Sequence, residues 1–377
     1  MDTADFVVVG GGMAGVTAAA ALAVHGKVIL LEQEAHMLGH ATGKSVAGVL
    51  SSYGSSAIQK LTVASKQMID AASDDTGVQF LTRRPFLRYA GEQQADLLKS
   101  MIEGSALLES IGPEEAIELC GALRRDHAIG AAVEIDAADV DVELLHSHYL
   151  HRFIENGGSV RPDERLIVGR FRAGLWLLET NRGHLSTPIV LNAAGAWCDD
   201  IAERLGAMAL GLEPKKRTVA IVGKRVPESW PLVADVEETC YFRPYGQALL
   251  ISPADESPHG ATEPVPDRKD IALAIARINA ATTLELRSYY DSWAGLRTFS
   301  ADRDPIVGFD SQQEGIFWIA GQGGYGIQAA PAIARLAVES ILGLSDVPGF
   351  EQIRTDLSPN RFTSGTSRGD VPGSVAK

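Results

Sequence analysis

Cysteine is scarce in this chain. Cys120, Cys198 and Cys240 are its only three in 377 residues, and they lie too far apart to suggest metal ligation. None of the nine histidines stands in an H-x-x-x-H pattern with an acid between the pair. No metal is expected, and the thiols read as buried or incidental groups of a reducing compartment. Basic charge is also short: 34 Lys and Arg stand against 48 Asp and Glu, a formal charge of −14 with no basic stripe. Nucleic-acid partners, which require neutralised phosphates, are not expected. No run reaches the ~18 apolar residues of a membrane span. The first apolar run starts within six residues of Met1, which leaves no room for a signal peptide. The expectation is therefore no transmembrane segment and a cytoplasmic placement, with which peripheral contact at the inner membrane is compatible. The end of the chain, SPNRFTSGTSRGDVPGSVAK, is poor in apolar residues, so 357–377 reads as a flexible tail and its RGD triplet as chance.

Apolar residues make up 45% of the chain and charged ones 22%, enough for a large core shared between two lobes. The opening stretch FVVVGGGMAGVTAAAALAVHGKVILLE reads as one βαβ unit. Phe6 to Val9 form a buried strand. Gly10, Gly12 and Gly15 give the G-x-G-x-x-G spacing, with Met13 and Ala14 opening the helix. The first glycine permits a tight turn, the second lets amides approach a pyrophosphate, and the third lets the helix pack on the strand. The helix N-terminus favours an anion. Val28 to Leu31 form the next strand, ending in Glu32 and Gln33. A carboxylate at Glu32 can accept both hydroxyls of an adenosine ribose.

After this unit the chain leaves on the loop HMLGHATGKSVAGVLSSYG. Helical periodicity covers Ile58 to Ala72 and Gln93 to Ile111, with FLRYA between them as a strand. Next, DVDVELLHSHYLHRFIENGG predicts a helix capped by Asp139 or Asp141 and stopped by Gly157 and Gly158. A hairpin over LIVGRFRAGLWLLET follows, then a buried strand at Ile189 to Leu191. From Leu210 to Ser300 the pattern is β-rich with one helix near Asp270 to Thr282. The run GIFWIAGQGGYGIQAAPAIARLAVESILG then supplies a strand, a glycine loop and a long helix. The chain thus enters a nucleotide domain three times, as 1–45, 141–205 and 301–356. It builds a second domain from 46–140 and 206–300. A nicotinamide dehydrogenase ordinarily completes its sheet with consecutive βαβ units, and this chain does not.

Taken together, VVVGGGMAG, HATGKS, SSYG, VLNAAGAWCD, EPKKRT, WAGLRTF and GQGGYGIQ resemble the FAD-dependent D-amino acid oxidase and glycine oxidase family, over nearly the whole chain. Within that family the resemblance is to bacterial D-arginine dehydrogenase-like D-amino acid dehydrogenases. It implies an α/β, p-hydroxybenzoate hydroxylase-like architecture: a Rossmann-like FAD domain, and an α+β substrate domain whose mixed sheet roofs the flavin. Thr42, Gly43, Lys44 and Ser45 fall where the family runs beside the pyrophosphate and flavin, with Lys44 where relatives more often carry arginine. Ala194, Gly195 and Trp197 belong to the second return of the chain. Gly323, Gly324, Tyr325, Gly326 and Ile327 belong to the third, where a helix beginning near Gly326 would aim its amides at the flavin pyrimidine. Dimethylglycine-type relatives attach FAD through a histidine, here His40; the D-arginine-like ones do not, and non-covalent FAD is expected.

The implied reaction is oxidative deamination, with a hydride leaving Cα for flavin N5 and the imine hydrolysing to an oxo acid and ammonia. Arg297 is the expected carboxylate clamp, since a guanidinium binds a carboxylate bidentately; a buried ion pair with an acid of its own domain is the alternative. Tyr53 and Tyr241 correspond to the family's substrate hydroxyls, and Arg217 to a second basic position. His146, His148 and His151 share one helix and read as solvated or packed.

D-arginine-type relatives carry a histidine and a carboxylate where this chain has Gly48 and Phe86. The pocket, with Gly324 at its edge, is therefore expected to lack a carboxylate for a cation and to take neutral D-amino acids. Strand alternation sets Arg84, Phe86 and Arg88 on one face, so an inward arginine, including Arg83, could admit an acidic substrate. Three alternatives stand beside this: an oxidase passing electrons to O2 from glycine, sarcosine or another secondary amine, a flavin subunit of a larger opine or amino acid dehydrogenase, and a tRNA-modifying protein, against which the acidic balance argues. The expected partners are an amino acid or amine and an electron acceptor such as a quinone or O2.

Overall fold

The computed structural model describes residues 1–344 and 349–362. Phe6–Val9 and Val28–Leu31 are buried along their whole length, as parallel strands covered on both faces must be. They sit in a six-stranded sheet ordered Ser159–Arg161, Val28–Leu31, Phe6–Val9, Ile189–Asn192, Ile316–Ala320, Ile306–Phe309, parallel except for the last strand. Period-2 alternation divides the side chains between two cores. Phe6, Val8, Val28 and Leu30 join the helices Met13–Leu22, Val142–Glu155 and Ala330–Leu342. Val7, Val9, Ile29 and Leu31 meet Trp176, Leu178 and Leu185 of the adjoining four-stranded sheet.

Helix Met13–Leu22 lies so close to its strand that a Cβ on Gly15 would stand 1.8 Å from the Gly10 carbonyl oxygen. Gly10 itself turns at φ +109, and a Cβ there would sit 2.5 Å from the Ala193 oxygen.

The second sheet runs Ser257–Pro258, Glu213–Val222, Ala248–Ser252, Tyr241–Tyr245, Leu232–Asp235, Phe86–Ala90, Gly130–Glu134, Glu109–Ile111, with Asp291–Phe299 also paired to Glu213–Val222. It is mixed, because Leu232–Asp235 runs parallel to Phe86–Ala90 among antiparallel neighbours. On one face Leu87, Tyr89, Val133, Val233, Phe242 and Ile251 pack with Ile271, Ala274 and Ile278 of helix Arg268–Ala281. The alternate residues, among them Phe86, Arg88, Glu134, Leu232, Ala234 and Tyr241, take the other face, the one turned to the cleft described below. The expected α/β architecture with a mixed second sheet is the one observed.

Three expectations need correction. The helix expected over Gln93–Ile111 stops early: Glu92–Gln94 is a 3-10 turn, Ala95–Glu103 the helix, and Glu109–Ile111 an edge strand on Gly130–Glu134. Gly104 ends the helix, and pairing with a sheet edge overrides the local periodicity. The last helix begins at Ala330 and not near Gly326; a turn closed by Ala329 N–H donating to the Tyr325 carbonyl precedes it, and Pro331 suits its first turn. Arg84 does not share a face with Phe86 and Arg88. It precedes their strand and turns to Asp139, Glu228 and the Trp230 carbonyl.

Asp141, not Asp139, caps helix Val142–Glu155, accepting from Leu144 N–H at 3.0 Å. Of the stretch read as a tail, Leu357 is buried and Arg361 pairs with Asp302; residues 363–377 lie outside the described ones. All three cysteines are buried.

The 1.8 Å approach makes Gly15→Ala a direct test of the helix–strand contact. Overpacking of this kind costs about 1–3 kcal/mol. A Tm several degrees below wild type is the expected outcome in thermal denaturation.

Candidate active site

A cleft opens at the C-terminal ends of the parallel strands, beyond Val9, Leu31 and Ala320, and runs beneath the mixed sheet. Of the residues expected at a dinucleotide site, Gly10, Gly12, Met13, Ala14, Glu32, Gln33, Thr42, Lys44, Ser45, Ala194, Gly195, Trp197, Gly323, Gly324, Gly326 and Ile327 line it. Gly15, Gly43 and Tyr325 are not in its wall. Gly15 and Gly43 are packing positions, where a Cβ would meet the Gly10 and Leu38 carbonyl oxygens. Tyr325 is buried behind Tyr53, the ring centroids 5.2 Å apart. The expected substrate residues Tyr53, Arg217, Tyr241, Arg297, Gly48 and Phe86 line the same cleft.

At the strand end, Glu32 accepts from Gly11 N–H at 2.7 Å through one oxygen and from Glu34 N–H at 2.9 Å through the other. Each oxygen keeps a lone pair for a further donor. Helix Met13–Leu22 has Gly12 at its N-cap and no side-chain cap, while Thr42 Oγ1 receives Met13 N–H at 3.1 Å. From the far side, His146 meets the Gly11 carbonyl at 2.8 Å through Nε2. A carbonyl oxygen only accepts, so Nε2 carries the proton. Burial pushes the His146 pKa below the usual histidine value, against the opposing pull of the Gly11 bond. The Gly11 peptide is thus held at both its N–H and its C=O. His40 stands between Glu34, at 3.1 Å, and the Trp197 ring, at 4.5 Å.

At the other end, Arg297 and Arg217 come from the paired strands Asp291–Phe299 and Glu213–Val222. Arg217 donates to the Asp255 carbonyl at 2.9 Å and pairs with Glu256 at 3.2 Å. Burial, then the nearby Arg297 charge, lower its pKa. Arg297 forms no ion pair among the described residues and is held instead by a hydrogen bond to the Tyr53 hydroxyl. Burial opposes its charge; the surrounding Tyr53, Tyr241 and Glu256 outweigh that and raise its pKa. Burial, then the Glu238 carboxylate, raise the Tyr53 pKa, so its hydroxyl stays protonated. Gly324 lets the backbone come close to Arg297: a Cβ there would stand 3.0 Å from Arg297 Nη1.

The family model for FAD-dependent oxidoreductases of the DAO type matches residues 5–340. The chain belongs to that family. Glycine oxidase from Geobacillus kaustophilus (strain HTA426) is 22% identical over 373 residues, covering 95% of this chain and 96% of that protein. FAD-dependent oxidoreductase domain-containing protein 1 of Xenopus laevis is 30% identical over 201 residues, 47% of this chain, and only 38% of the frog protein's length is covered. Among solved structures, L-proline dehydrogenase from P. horikoshii superposes with a TM-score of 0.84 at 20% identity, covering 96% of this chain and 98% of that one.

The residues present fit FAD. Glu32 has acceptor capacity for a ribose, the helix N-cap is a glycine that leaves its end open to the cleft, and Gln322, in the cleft wall, has a buried Nε2 donor with no partner among the described residues. Such a donor is costly unless a ligand acceptor meets it. This DAO-family chain has no described cluster of metal-binding side chains, and no described helix is long and apolar enough to cross a membrane.

Sequence reasoning missed four residues. His146 reads from sequence as solvated or packed, and its neighbours on the helix give no sign of a bond to the glycine loop. Glu134 is 3% exposed and accepts from Ser51 N–H, Ser52 N–H and the Ser52 hydroxyl at 2.6, 3.0 and 2.5 Å, which fixes the turn carrying Tyr53. Gln322 stood in plain view in GQGGYG. Glu238 corrects an expectation outright. The pocket was expected to lack a carboxylate, yet Glu238 lines the cleft from a loop whose sequence, DVEETC, resembles ordinary surface.

His146→Leu leaves the Gly11 carbonyl without its donor, a loss of about 1–3 kcal/mol. A rise in FAD Kd of roughly tenfold is expected in titrations of the apoprotein. His146 and His148 both hold pKa values lowered by burial. Their contribution to stability is therefore whole above the unfolded value near ~6.5 and lost as pH falls below it. Tm should drop between pH 7 and 5, less steeply in His146→Leu than in wild type.

Proposed function

We propose that this chain is an FAD-dependent amino acid dehydrogenase acting on neutral D-amino acids, with Arg297 as the carboxylate clamp. The observation that carries the reading is a charged guanidinium in the cleft wall that is hydrogen-bonded to Tyr53 and has no ion-pair partner among the described residues. A substrate carboxylate completes that pairing, bidentate and in a fixed orientation. Tyr53, its pKa raised, keeps a hydroxyl hydrogen to direct, and Tyr241, on strand Tyr241–Tyr245, lines the same cleft. Arg217 keeps the region positive while its own charge is answered by Glu256.

With the carboxylate fixed, Cα is presented in one orientation, and positioning supplies much of the rate. FAD, when bound, supplies the acceptor for the two electrons and hydrogen that leave Cα. The amine lone pair closes the C=N bond, and water adds to the imine to release the oxo acid and ammonia. Among the described residues the one histidine of the cleft lining, His40, stands with Glu34 and Trp197 at the dinucleotide end, which suits a substrate bound with a neutral amine. Phe86, Leu232 and Ala234 give the side-chain end an apolar wall, and this supports neutral substrates.

Anaerobic mixing of the yellow protein with D- and L-amino acids and N-methyl amines tests the class. Bleaching by neutral D-amino acids is expected, and bleaching by L-amino acids or secondary amines alone would replace the assignment. Heat denaturation should release the flavin; flavin retained by the precipitate would point to attachment through His40. Adding O2 or a quinone to the bleached protein identifies the acceptor.

Arg297→Met should keep FAD and lose at least ~3 kcal/mol in kcat/KM, the loss typical of breaking a desolvated charge pair. Near-normal steady-state kinetics in the folded variant would place the carboxylate elsewhere.

A further inference from the structure

Behind the apolar wall lies a run of charged groups that the proposed oxidation does not use. Arg88 is 2% exposed, and its guanidinium carbon stands 3.9 Å over the Phe86 ring. Its Nε donates to Glu238 Oε1 at 3.3 Å and its Nη1 to Ser52 Oγ at 3.1 Å. The Ser52 hydroxyl in turn donates to Glu134. Glu238 is not a loose surface side chain. Its backbone turns at φ +54, its N–H donates to the Asp235 carbonyl at 2.9 Å, and Asp235 Oδ1 accepts from Thr239 and Cys240 N–H groups. The carboxylate is thereby fixed in the cleft wall, beside Phe86 and near enough to Tyr53 to raise that hydroxyl's pKa.

We propose that Arg88 is a specificity-determining residue: by engaging Glu238 in an ion pair behind Phe86, it turns a carboxylate that would select cationic side chains into half of a neutral pair. A substrate guanidinium or ammonium would have to compete with a buried arginine already paired and stacked there. A neutral side chain meets Phe86 and has no such competition. With Arg88 gone, Glu238 is a half-buried carboxylate of the cleft wall without that counter-ion, and a cationic substrate supplies one. With Glu238 gone, Arg88 is the unpaired charge, and an acidic side chain answers it. This rests on the reading of the cleft as an amino acid site and names the device that sets its side-chain class.

The test uses the full-length FAD-loaded protein and compares kcat/KM for D-lysine with that for D-norleucine, its uncharged counterpart. Wild type should favour D-norleucine. Arg88→Met should raise the D-lysine to D-norleucine ratio at least fivefold, and Arg88→Met/Glu238→Gln should return it to the wild-type value. A rise below fivefold, or a gain that survives in the double variant, overturns the proposal, as does a wild-type preference for D-lysine. If Arg88→Met does not fold, Glu238→Gln carries the test alone: the ratio of D-glutamate to D-norleucine should rise at least fivefold, and a smaller change overturns it. If wild type oxidises no amino acid, the amino acid reading has failed separately. Flavin spectral titration with 5-guanidinopentanoate and with hexanoate, carboxylates without an α-amine, then decides the role of Arg88 by the same fivefold criterion on Kd.

Discussion

An arginine kept charged in the wall of a cleft, with no ion-pair partner among the described residues, is the constraint around which the second half of this protein is arranged. Left alone, such a charge is costly, and the surroundings lower the cost without neutralising it. Tyr53 provides a hydrogen bond and Tyr241 and Glu256 a favourable field. Glu256 is committed more closely, to Arg217 at 3.2 Å and Arg303 at 3.0 Å. The guanidinium of Arg297 therefore stays ionised and open to an incoming anion. Tyr53 can serve it because the turn before it is fixed by three donations to the buried Glu134, so a carboxylate far along the same sheet from Arg297 helps set the surroundings of that guanidinium.

The nucleotide half is built on the same economy of partners. Gly11 is held on both sides, since Glu32 takes its N–H and His146 supplies a donor to its carbonyl. The helix that follows is pressed against the strand at Gly10 and Gly15. What remains for a ligand is the N-terminal end of that helix beyond the Met13 N–H, which Thr42 takes, and the outer lone pairs of Glu32, which are the groups a dinucleotide needs.

Most of this half was legible in the sequence. Strand, glycine spacing, helix and terminal acid are local signals, and each maps to a short stretch whose physics is settled by its neighbours in the chain. The last helix was misplaced by four residues because Gly326 looked like a start, whereas Pro331 marks the first turn. The substrate half was legible where a residue type is chemically singular, as with Arg297, and illegible where its role depends on register. Glu134 acts on Ser52 across 82 positions, and Arg88 reaches Glu238 across 150. Nothing local distinguishes such carboxylates from solvated ones. The strand pairing of Phe86 with Glu134 and Leu232 brings them together, and no periodicity announces that pairing. The same gap explains why the pocket was expected to lack a carboxylate: only the residue in the strand, Phe86, was open to inspection.

The two halves meet in one segment, 40–53, which serves both. Lys44 lines the cleft and pairs with Glu263 from the far lobe, and its carbonyl accepts from Trp293 Nε1 at 3.0 Å. Six residues on, the backbone of Leu50 is bonded in both directions to the Gln328 amide, and Ser51 and Ser52 to Glu134. Loops of this kind usually move independently of the scaffold, but this one is pinned at its start by the opposite lobe and at its end by a buried carboxylate. Its composition explains how that is possible. Small residues at Ala47 and Gly48 let the chain pass between the lobes, and the short pairing of Gly48–Val49 with Ala138–Asp139 satisfies backbone groups that would otherwise be buried alone. Thr42 at the dinucleotide end and Tyr53 at the substrate end are therefore set by a single path of chain, so a change in the conformation of either is felt by the other through about ten residues of backbone.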